Sequence, residues 1–245
     1  MAAHGNPTQW GSDYPPRGLL EADLAQGNLY TVEDGSGIHA AFALVPGADP
    51  TYTRIDGGAW LSDSAYMTLH RVASDGRVHG VFREIVDFSS RNHPHLRIDT
   101  HEDNAGMRRL IAQSGFRERG RIYVRDGSPR IAYERIGYGT ENTLTVTVDR
   151  PLGSCHPNHA DLVYPVNYGY LPGFMAPDGE EQDAYIVGIS EPVQTFTGKL
   201  TAVVHRFDDV EEKWVIAPEG MTLSREEIEE QVHFQEQYFH TEIRI

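Results

Sequence analysis

Three acidic residues in the second half of the chain could bind a divalent cation. Asp178, Glu180 and Asp183 stand two and three positions apart around Gly179, and a tight turn that contains glycine can bring their side chains together. Unpaired carboxylates that crowd together repel one another, so the cluster is costly unless it binds a cation or takes up protons. Carboxylate oxygens are the ligands that Mg²⁺ prefers. The spacing therefore favours a magnesium site, and the alternative is a solvated acidic surface.

A second candidate site is a short loop in the first half of the chain. The stretch 69–80, with Gly76 and Gly80, places a small loop between a predicted strand and a predicted helix. Backbone N–H groups at such a helix start can bind a phosphate group. Most strand–loop–helix connections bind nothing, so this loop by itself is only a weak indication of phosphate binding.

The charge of the chain restricts its partners. The net charge is −15 over 245 residues, and residues 137–245 hold 19 acidic but only 6 basic side chains. An acidic half repels phosphate backbones, which argues against nucleic acid as a partner. No apolar run reaches the roughly 18 residues that span a bilayer, and the single Cys155 suits a reducing compartment. We therefore expect a cytoplasmic protein that acts on small molecules and binds neither nucleic acid nor membrane.

The elements that must position the first site alternate between strands and helices. The turn Asp34-Gly35-Ser36-Gly37 predicts a hairpin, and apolar residues at helical spacing predict a helix over 77–88. Asp103 or Asn104 could cap a further helix that ends at Gly115. The remaining predicted strands cover 67–73, 95–99, 120–125 and 130–135. This order predicts an α/β layer with some parallel pairing.

The second half reads differently. Predicted strands over 144–148, 184–189, 199–206 and 213–216 are joined by connections rich in Pro, Gly and Asp rather than by helices. Ser224 and Glu227 form a capping-box pattern at the start of one late helix. We therefore predict a small, mostly β barrel with a C-terminal helix. The predicted domains are residues 1–136 and 142–245, with a linker at 137–141.

The first half resembles the GNAT acetyltransferase superfamily over about residues 6–136. The resemblance rests on residues 95–101 (HLRIDTH), Asn104 and Gly115-Phe116, and on a loop that matches the family's pyrophosphate-binding motif at Arg77 and Gly80. Phe82 stands where that motif has a small residue. The resemblance implies a mixed sheet with flanking helices that transfers an acetyl group from acetyl-CoA to an amine. It also implies a unit that is curtailed at its N-terminus, whose open sheet edge would favour homo-oligomers.

The resemblance also implies the site residues of this domain. The residues expected to contact acetyl-CoA are Arg71, Val72, Ala73, Arg77, Gly80 and Asn104. Backbone N–H groups of the first three would stabilise charge on the thioester oxygen. Ile111 occupies the position of the family's usual proton donor, a tyrosine. His70, His101 and Tyr123 are the substitutes, and we predict His101 and Tyr123 as catalytic because His101 follows a strand end.

The second half resembles the magnesium-dependent soluble inorganic pyrophosphatases over about residues 142–245. The motifs are YPVNYGY at 164–170 and DGEEQD at 178–183. The resemblance implies hydrolysis of pyrophosphate or a related diphosphate by a water that two Mg²⁺ ions activate, with Asp183 and Lys213 catalytic. The implied metal ligands are Asp178, Glu180, Asp183 and Asp208, with Glu211 or Asp209 as a further ligand. The implied phosphate contacts are Arg150, Tyr168, Lys213 and Tyr238.

Several departures from both families support an alternative. Ile111, Phe82 and Phe239 each stand where a family has a residue of its site, the last in place of a lysine. On that basis the chain would be a catalytically degenerate module that binds a metal or a nucleotide without turnover. Binding of Mg²⁺ and acetyl-CoA without product formation would distinguish this alternative from an enzyme.

Overall fold

The chain divides into two compact units. The computed structural model describes residues 14–47, 49–137, 143–157, 159–176 and 178–245. The first unit comprises the described parts of Met1–Trp60 and Tyr66–Glu141, and the second comprises Leu61–Ala65 with the described part of Asn142–Ile245. Of the predicted linker at 137–141, all but Gly137 lies outside the described residues. None of the described helices is long and apolar enough to cross a membrane.

The first unit is a six-stranded mixed sheet with helices. The strand order is β1-β2-β3-β4-β6-β5, and β3 and β4 pair in parallel whereas the other neighbours are antiparallel. This arrangement confirms the predicted α/β layer. The strands are β1 (Leu29–Asp34), β2 (Gly37–Pro46), β3 (Met67–Ser74), β4 (His95–Thr100), β5 (Arg117–Tyr123) and β6 (Pro129–Ile136); the helices are α1 (Arg17–Ala25), α2 (Val81–Asn92) and α3 (Ala105–Gln113).

Helix α2 begins at Val81, four residues later than its sequence predicts. Gly80 precedes it with φ +82°, a left-handed conformation that a glycine adopts without strain. Asp75 accepts a hydrogen bond from the Arg77 backbone N–H at 2.9 Å, which holds the preceding residues in a turn. The helix then packs Val81 and Phe82 into the core of the sheet. Phe82, the unexpectedly large residue of the loop motif, is therefore a core side chain.

Helix α1 has no counterpart among the sequence predictions. The side chain that it buries is the charged Asp23, so the helix lacks the apolar stripe by which a surface helix is recognised in a sequence. Helix α3 follows the expected pattern: the Asn104 side chain accepts a hydrogen bond from the Met107 backbone N–H at 3.2 Å and caps the helix. Asn104 rather than Asp103 is thus the capping residue.

The second unit is a closed five-stranded barrel with a C-terminal helix, as predicted. The strands pair in the order β13-β11-β10-β7-β12, and β12 also pairs with β13, which closes the ring. Strand β14 pairs with β12 as well. Gly169 lets β10 approach β7, because a Cβ there would lie 2.0 Å from the Thr147 carbonyl oxygen. The strands are β7 (Thr143–Arg150), β8 (Cys155–His156), β9 (His159–Val163), β10 (Asn167–Met175), β11 (Glu181–Ile186), β12 (Thr195–Arg206), β13 (Glu212–Ala217) and β14 (Thr241–Arg244).

Helix α4 (Arg225–Glu236) covers one side of this barrel. Ser224 and Glu227 form the predicted capping box, and Ile228 and Val232 pack in one core cluster with Tyr185 and Val215 of the strands. The YPVNYGY motif of the sequence ends in β10, where tyrosines alternate with smaller residues. Strand β10 was not among the predicted strands, since its Asn, Pro and Gly residues disfavour strand structure.

Candidate functional sites

Strands β3 and β4 separate beside a cavity in the first unit. Their described pairing covers Met67–Leu69 against Leu96–Ile98 and ends there, although both strands continue. Arg71 lies at a register irregularity of β3 with φ +53°, which turns β3 away from its parallel partner. A cavity of about 700 Å³ is lined by residues from both strand ends, and that volume suits a small-molecule ligand.

A histidine and an aspartate form a hydrogen-bonded pair on the wall of this cavity. His70 Nε2 lies 3.1 Å from Asp49 Oδ2, and both residues line the cavity. Asp49 also accepts hydrogen bonds from the backbone N–H and the hydroxyl of Thr51. The hydrogen bond from His70, followed by those from Thr51, holds the pKa of Asp49 well below its ordinary value. Asp49 is therefore ionised at neutral pH and can orient the imidazole ring.

Two further carboxylates of the cavity wall have protein partners. Asp23 of α1 forms a two-point ion pair with Arg71, with N–O distances of 2.8 Å, and both side chains are nearly buried. Asp99 accepts a hydrogen bond from the Tyr52 hydroxyl at 2.7 Å. Burial raises the pKa of Tyr52 well above its ordinary value, so this hydroxyl stays protonated and remains a donor. The Arg71 side chain thus anchors α1 to the bulge of β3.

The predicted acetyl-CoA contacts fall in two groups. Arg71, Val72 and Asn104 line the cavity. Arg77 is exposed and lies 3.7 Å from the Asp75 carboxylate, and Gly80 stands at the start of α2; neither lines the cavity, nor does Ala73. Three of the six predicted contacts therefore line the cavity, while the predicted phosphate loop lies outside it.

The two predicted catalytic residues of this unit are not among the residues that line the cavity. His101 Nδ1 accepts a hydrogen bond from the Asp103 backbone N–H at 3.2 Å. Tyr123 is exposed, with the Arg54 guanidinium 5.5 Å from the centre of its ring. Ile111 is fully buried in the core. Among the three histidine and tyrosine candidates, only His70 is a lining residue of the described cavity.

In the second unit, Lys213 neutralises two of the predicted metal ligands. Its ammonium group lies 2.5 Å from Asp183 Oδ2 and is also hydrogen-bonded to Glu211. The lysine side chain is buried, whereas about a third of each carboxylate side chain is exposed. Lys213 therefore occupies a position between two carboxylates in which a cation is favoured.

Arg206 neutralises the neighbouring carboxylates in the same way. Its guanidinium donates to both carboxylate oxygens of Glu236 at 2.8 and 3.0 Å and lies 3.3 Å from Asp209. Burial opposes the charge of Arg206, yet the hydrogen bonds to Glu236 and its negative charge raise the pKa of Arg206. Glu211 lies 3.5 Å from the same guanidinium, so the two cations share one acidic cluster.

Two of the remaining predicted ligands, Asp178 and Asp208, accept backbone hydrogen bonds. Asp178 accepts a hydrogen bond from the Glu180 backbone N–H at 3.0 Å on an exposed turn, and Asp208 accepts from the His240 backbone N–H at 3.1 Å. Within the described residues, no three of the five predicted ligands bring oxygens within 4.8 Å of one another. The side chains present in this arrangement do not fit a two-metal cluster.

The predicted phosphate contacts lie in different surroundings, and only some of them are close to Asp183. Burial raises the pKa of Tyr168 well above its ordinary value, and the nearby negative charge of Asp183 raises it further. Arg150 lies 3.0 Å from the carboxylate of its neighbour Asp149. Tyr238 is 70% exposed. Tyr168 and Lys213 therefore meet at Asp183, and Tyr238 points into solvent.

One group of chemically capable residues escaped the sequence reasoning. Asp63, His205 and Glu212 bring ligand atoms within 4.8 Å of one another. Asp63 precedes His205 by 142 positions in the sequence, so no local spacing links them. Asp63 belongs to no recognisable motif, so no local sequence signal points to this contact.

Comparisons with known proteins find two kinds of solved structure. No family model matches the chain, and no curated protein matches it. A GNAT-family acetyltransferase structure from Streptococcus agalactiae is similar over 55% of this chain and 80% of its own, with 28% identity and a TM-score of 0.51. The first unit thus has a GNAT-like fold, as its sequence predicts.

Inorganic pyrophosphatase structures are also found. Those from Neisseria gonorrhoeae and Ehrlichia chaffeensis have 20% and 18% identity with this chain. They cover 40% and 43% of this chain and 73% and 86% of their own, and the TM-scores are 0.34 and 0.35.

Proposed function

We propose that the first unit transfers an acetyl group from acetyl-CoA to an amine, with His70 as the general base. The observation that carries this proposal is the Asp49–His70 pair on the wall of the 700 Å³ cavity. A histidine whose one ring nitrogen is held by a carboxylate presents the other nitrogen as a proton acceptor, and the carboxylate stabilises the imidazolium that forms.

The cavity fits this use in its position as well as its residues. The ends of β3 and β4 that follow Leu69 and Ile98 are unpaired with each other, so backbone groups of both can face a bound acyl donor. When acetyl-CoA is bound, its thioester supplies the acyl group. The ionised Asp49 on the same wall favours an acceptor that arrives as a cation, such as an aliphatic amine.

The atoms balance in this reaction without a further reactant. The acceptor ammonium first loses one proton to solvent. The neutral nitrogen then bonds to the thioester carbonyl carbon, the carbon–sulfur bond breaks, and a second nitrogen-bound proton passes to His70 Nδ1. The coenzyme A thiolate takes up a proton from solvent. Because Asp49 binds Nε2, the tautomer with a proton on Nε2 is favoured, and Nδ1 is the nitrogen that accepts.

The test is acetyl transfer measured with acetyl-CoA and a panel of primary amines and polyamines. We expect release of coenzyme A that depends on an amine and falls with His70→Asn. Absence of acetyl-CoA binding at millimolar concentration would contradict the proposal for this unit.

For the second unit, the geometry favours a catalytically degenerate module without turnover. Lys213 and Arg206 already neutralise Asp183, Glu211 and Asp209, which leaves these carboxylates less able to activate a metal-bound water. Hydrolysis of pyrophosphate or a related diphosphate with Mg²⁺ stays a prediction that the motif resemblance supports. Phosphate release from pyrophosphate with Mg²⁺, lost in Asp183→Asn, would establish hydrolysis and contradict the proposal of a degenerate module.

A further inference from the structure

A histidine and a glutamate face each other across two strands of the second unit. His205 of β12 and Glu212 of β13 are direct cross-strand partners, and the distance between His205 Nδ1 and Glu212 Oε1 is 3.4 Å. Asp63, which belongs to the same unit, also offers a carboxylate oxygen, and one ligand atom from each of the three residues lies within 4.8 Å of the other two. One imidazole and two carboxylates, both common ligands at metal centres, therefore lie close together.

The two facing atoms are buried without hydrogen-bond partners. Glu212 is 2% exposed, and neither its Oε1 nor Nδ1 of His205 has a hydrogen-bond partner in the described chain. The other oxygen of Glu212 is well satisfied, by the Ser62 hydroxyl at 2.7 Å and the Asp63 backbone N–H at 3.2 Å. A buried carboxylate oxygen without a donor is costly, and burial accordingly raises the pKa of Glu212.

The Arg244 guanidinium does not satisfy this oxygen. Arg244 Nη1 lies 3.8 Å from Glu212 Oε1 and 3.9 Å from Asp63 Oδ2, beyond hydrogen-bond distance, while Arg244 Nε bonds to Glu242 at 3.2 Å. One guanidinium also leaves an excess negative charge on the two carboxylates. A divalent ion would add the charge and the close contact that the pair lacks.

The spacing and the donor set point to zinc rather than magnesium. Zinc lies about 2.0–2.2 Å from imidazole nitrogen and carboxylate oxygen, so two ligands of a tetrahedral site stand roughly 3.4 Å apart, as His205 and Glu212 do. An imidazole ligand suits Zn²⁺, whereas Mg²⁺ prefers oxygen ligands throughout.

We propose that Asp63, His205 and Glu212 bind a zinc ion. The ion would fasten the segment Leu61–Ala65 to strands β12 and β13 of the second unit. The three ligands leave a fourth position for water. This proposal is independent of the acetyl transfer and of the diphosphate hydrolysis considered above, because it uses none of the residues assigned to them.

The test is zinc binding by the full chain, followed by calorimetry and by the absorption spectrum of the cobalt(II) form. A Cys155→Ser background removes the exposed thiol as a competing ligand. We expect one equivalent of zinc, a cobalt spectrum typical of tetrahedral coordination, and at least tenfold weaker binding in Asp63→Asn and in His205→Gln. Asp63→Asn alters an exposed side chain and keeps the test valid if the histidine variant fails to fold.

The matched control is Glu242→Gln. Glu242 is the partner of His205 on its other side, in β14, and its replacement removes the same charge without removing a proposed ligand. We expect this variant to bind zinc as the parent does. Binding that is unchanged in Asp63→Asn, or equally reduced in Glu242→Gln, would overturn the assignment, as would the absence of stoichiometric binding by the parent.

Discussion

The two units treat their charged side chains in different ways. In the first unit, Asp49 and His70 stand on the wall of an open cavity and hold each other in a defined orientation. In the second unit, Asp183 and Glu211 close on Lys213. A charged group that another protein group already neutralises has little left to offer a ligand, whereas an oriented pair beside a cavity keeps one face for a substrate.

The same contrast explains why one motif is more informative than the other. The acidic motif at 178–183 predicts a cation site from spacing, yet its Asp183 is paired with Lys213 from another strand. Residues 95–101 predict a strand end near an active site, and the cavity does lie beside the end of β4. Side chains that complete or cancel a motif come from elsewhere in the chain.

The largest expected effect is on the reactive pair of the first unit. His70→Asn removes the proton acceptor but keeps a polar side chain that can bond to Asp49. We expect the rate of acetyl transfer, kcat/KM, to fall about 10²–10⁴-fold, the usual contribution of a general base. The measurement is the release of coenzyme A with a fixed amine.

Substitutions of two other histidines test whether this loss is specific to His70. His101→Asn tests the sequence-based prediction, and we expect a much smaller loss because His101 does not line the cavity. His93→Asn, after the end of α2, is the control for a general effect of losing a histidine. If His101→Asn and not His70→Asn abolishes transfer, the pair on the cavity wall is not the reactive group.

A second experiment tests whether the acidic cluster of the other unit is truly neutralised. Lys213→Met leaves Asp183 and Glu211 facing each other without a cation. We expect a loss of about 2–3 kcal/mol in the free energy of unfolding, less than for a fully buried pair because both carboxylates are partly exposed. Hydrogen exchange of β13 peptides measures this loss in the second unit alone.

A surface lysine provides the comparison. Lys199→Met breaks an exposed ion pair with Glu219, and we expect it to cost less than about 1 kcal/mol. If millimolar Mg²⁺ restores the protection from hydrogen exchange that Lys213→Met loses, the cluster does bind divalent cations. The two units would then differ less in what their charged side chains offer a ligand.

A third experiment concerns the position where the GNAT family has a tyrosine. Ile111 has no exposed surface, so Ile111→Tyr overpacks the core and should destabilise the first unit by about 1–3 kcal/mol without increasing acetyl transfer. Leu110→Tyr, at a neighbouring exposed position of α3, should be close to neutral. A faster reaction in Ile111→Tyr would show that the tyrosine can reach the site.

The smallest expected effect is a pH dependence in the first unit. His39 lies between Asp34 and Asp75, at 2.9 and 3.2 Å, and the hydrogen bond to Asp34, followed by that to Asp75, raises its pKa. Its stabilising contribution is therefore full below the ordinary value of about 6.5 and is lost as the pH rises through the raised pKa.

Hydrogen exchange of β2 peptides between pH 5.5 and 8.5, corrected for intrinsic rates, measures this effect. We expect the protection of the β2 amides from exchange to decline as the pH rises in the wild-type protein, and to decline less in His39→Gln. An identical pH profile in both proteins would mean that the two aspartates stabilise β2 without help from the imidazolium.

Much of both architectures follows from local sequence. The turn Asp34–Gly37, the cap at Asn104 and the capping box at Ser224 each lie within a few residues of the elements that they define, so periodicity and capping chemistry predict those elements. Helix α1 was missed because Asp23, the residue that it buries, is polar and its partner Arg71 lies 48 residues away.

Residue types and their spacing were enough to show which residues could do chemistry: the carboxylates of 178–183, the histidines near two strand ends, and the motifs of two families. Which of these residues meet depends on how the chain folds. His70 was paired with Asp49 by a loop that ends near β3, Asp183 was neutralised by Lys213 from another strand, and Glu212 was brought to His205 and Asp63. Charge and hydrogen bonding act over a few ångströms in space, whereas sequence spacing constrains distance only within one element.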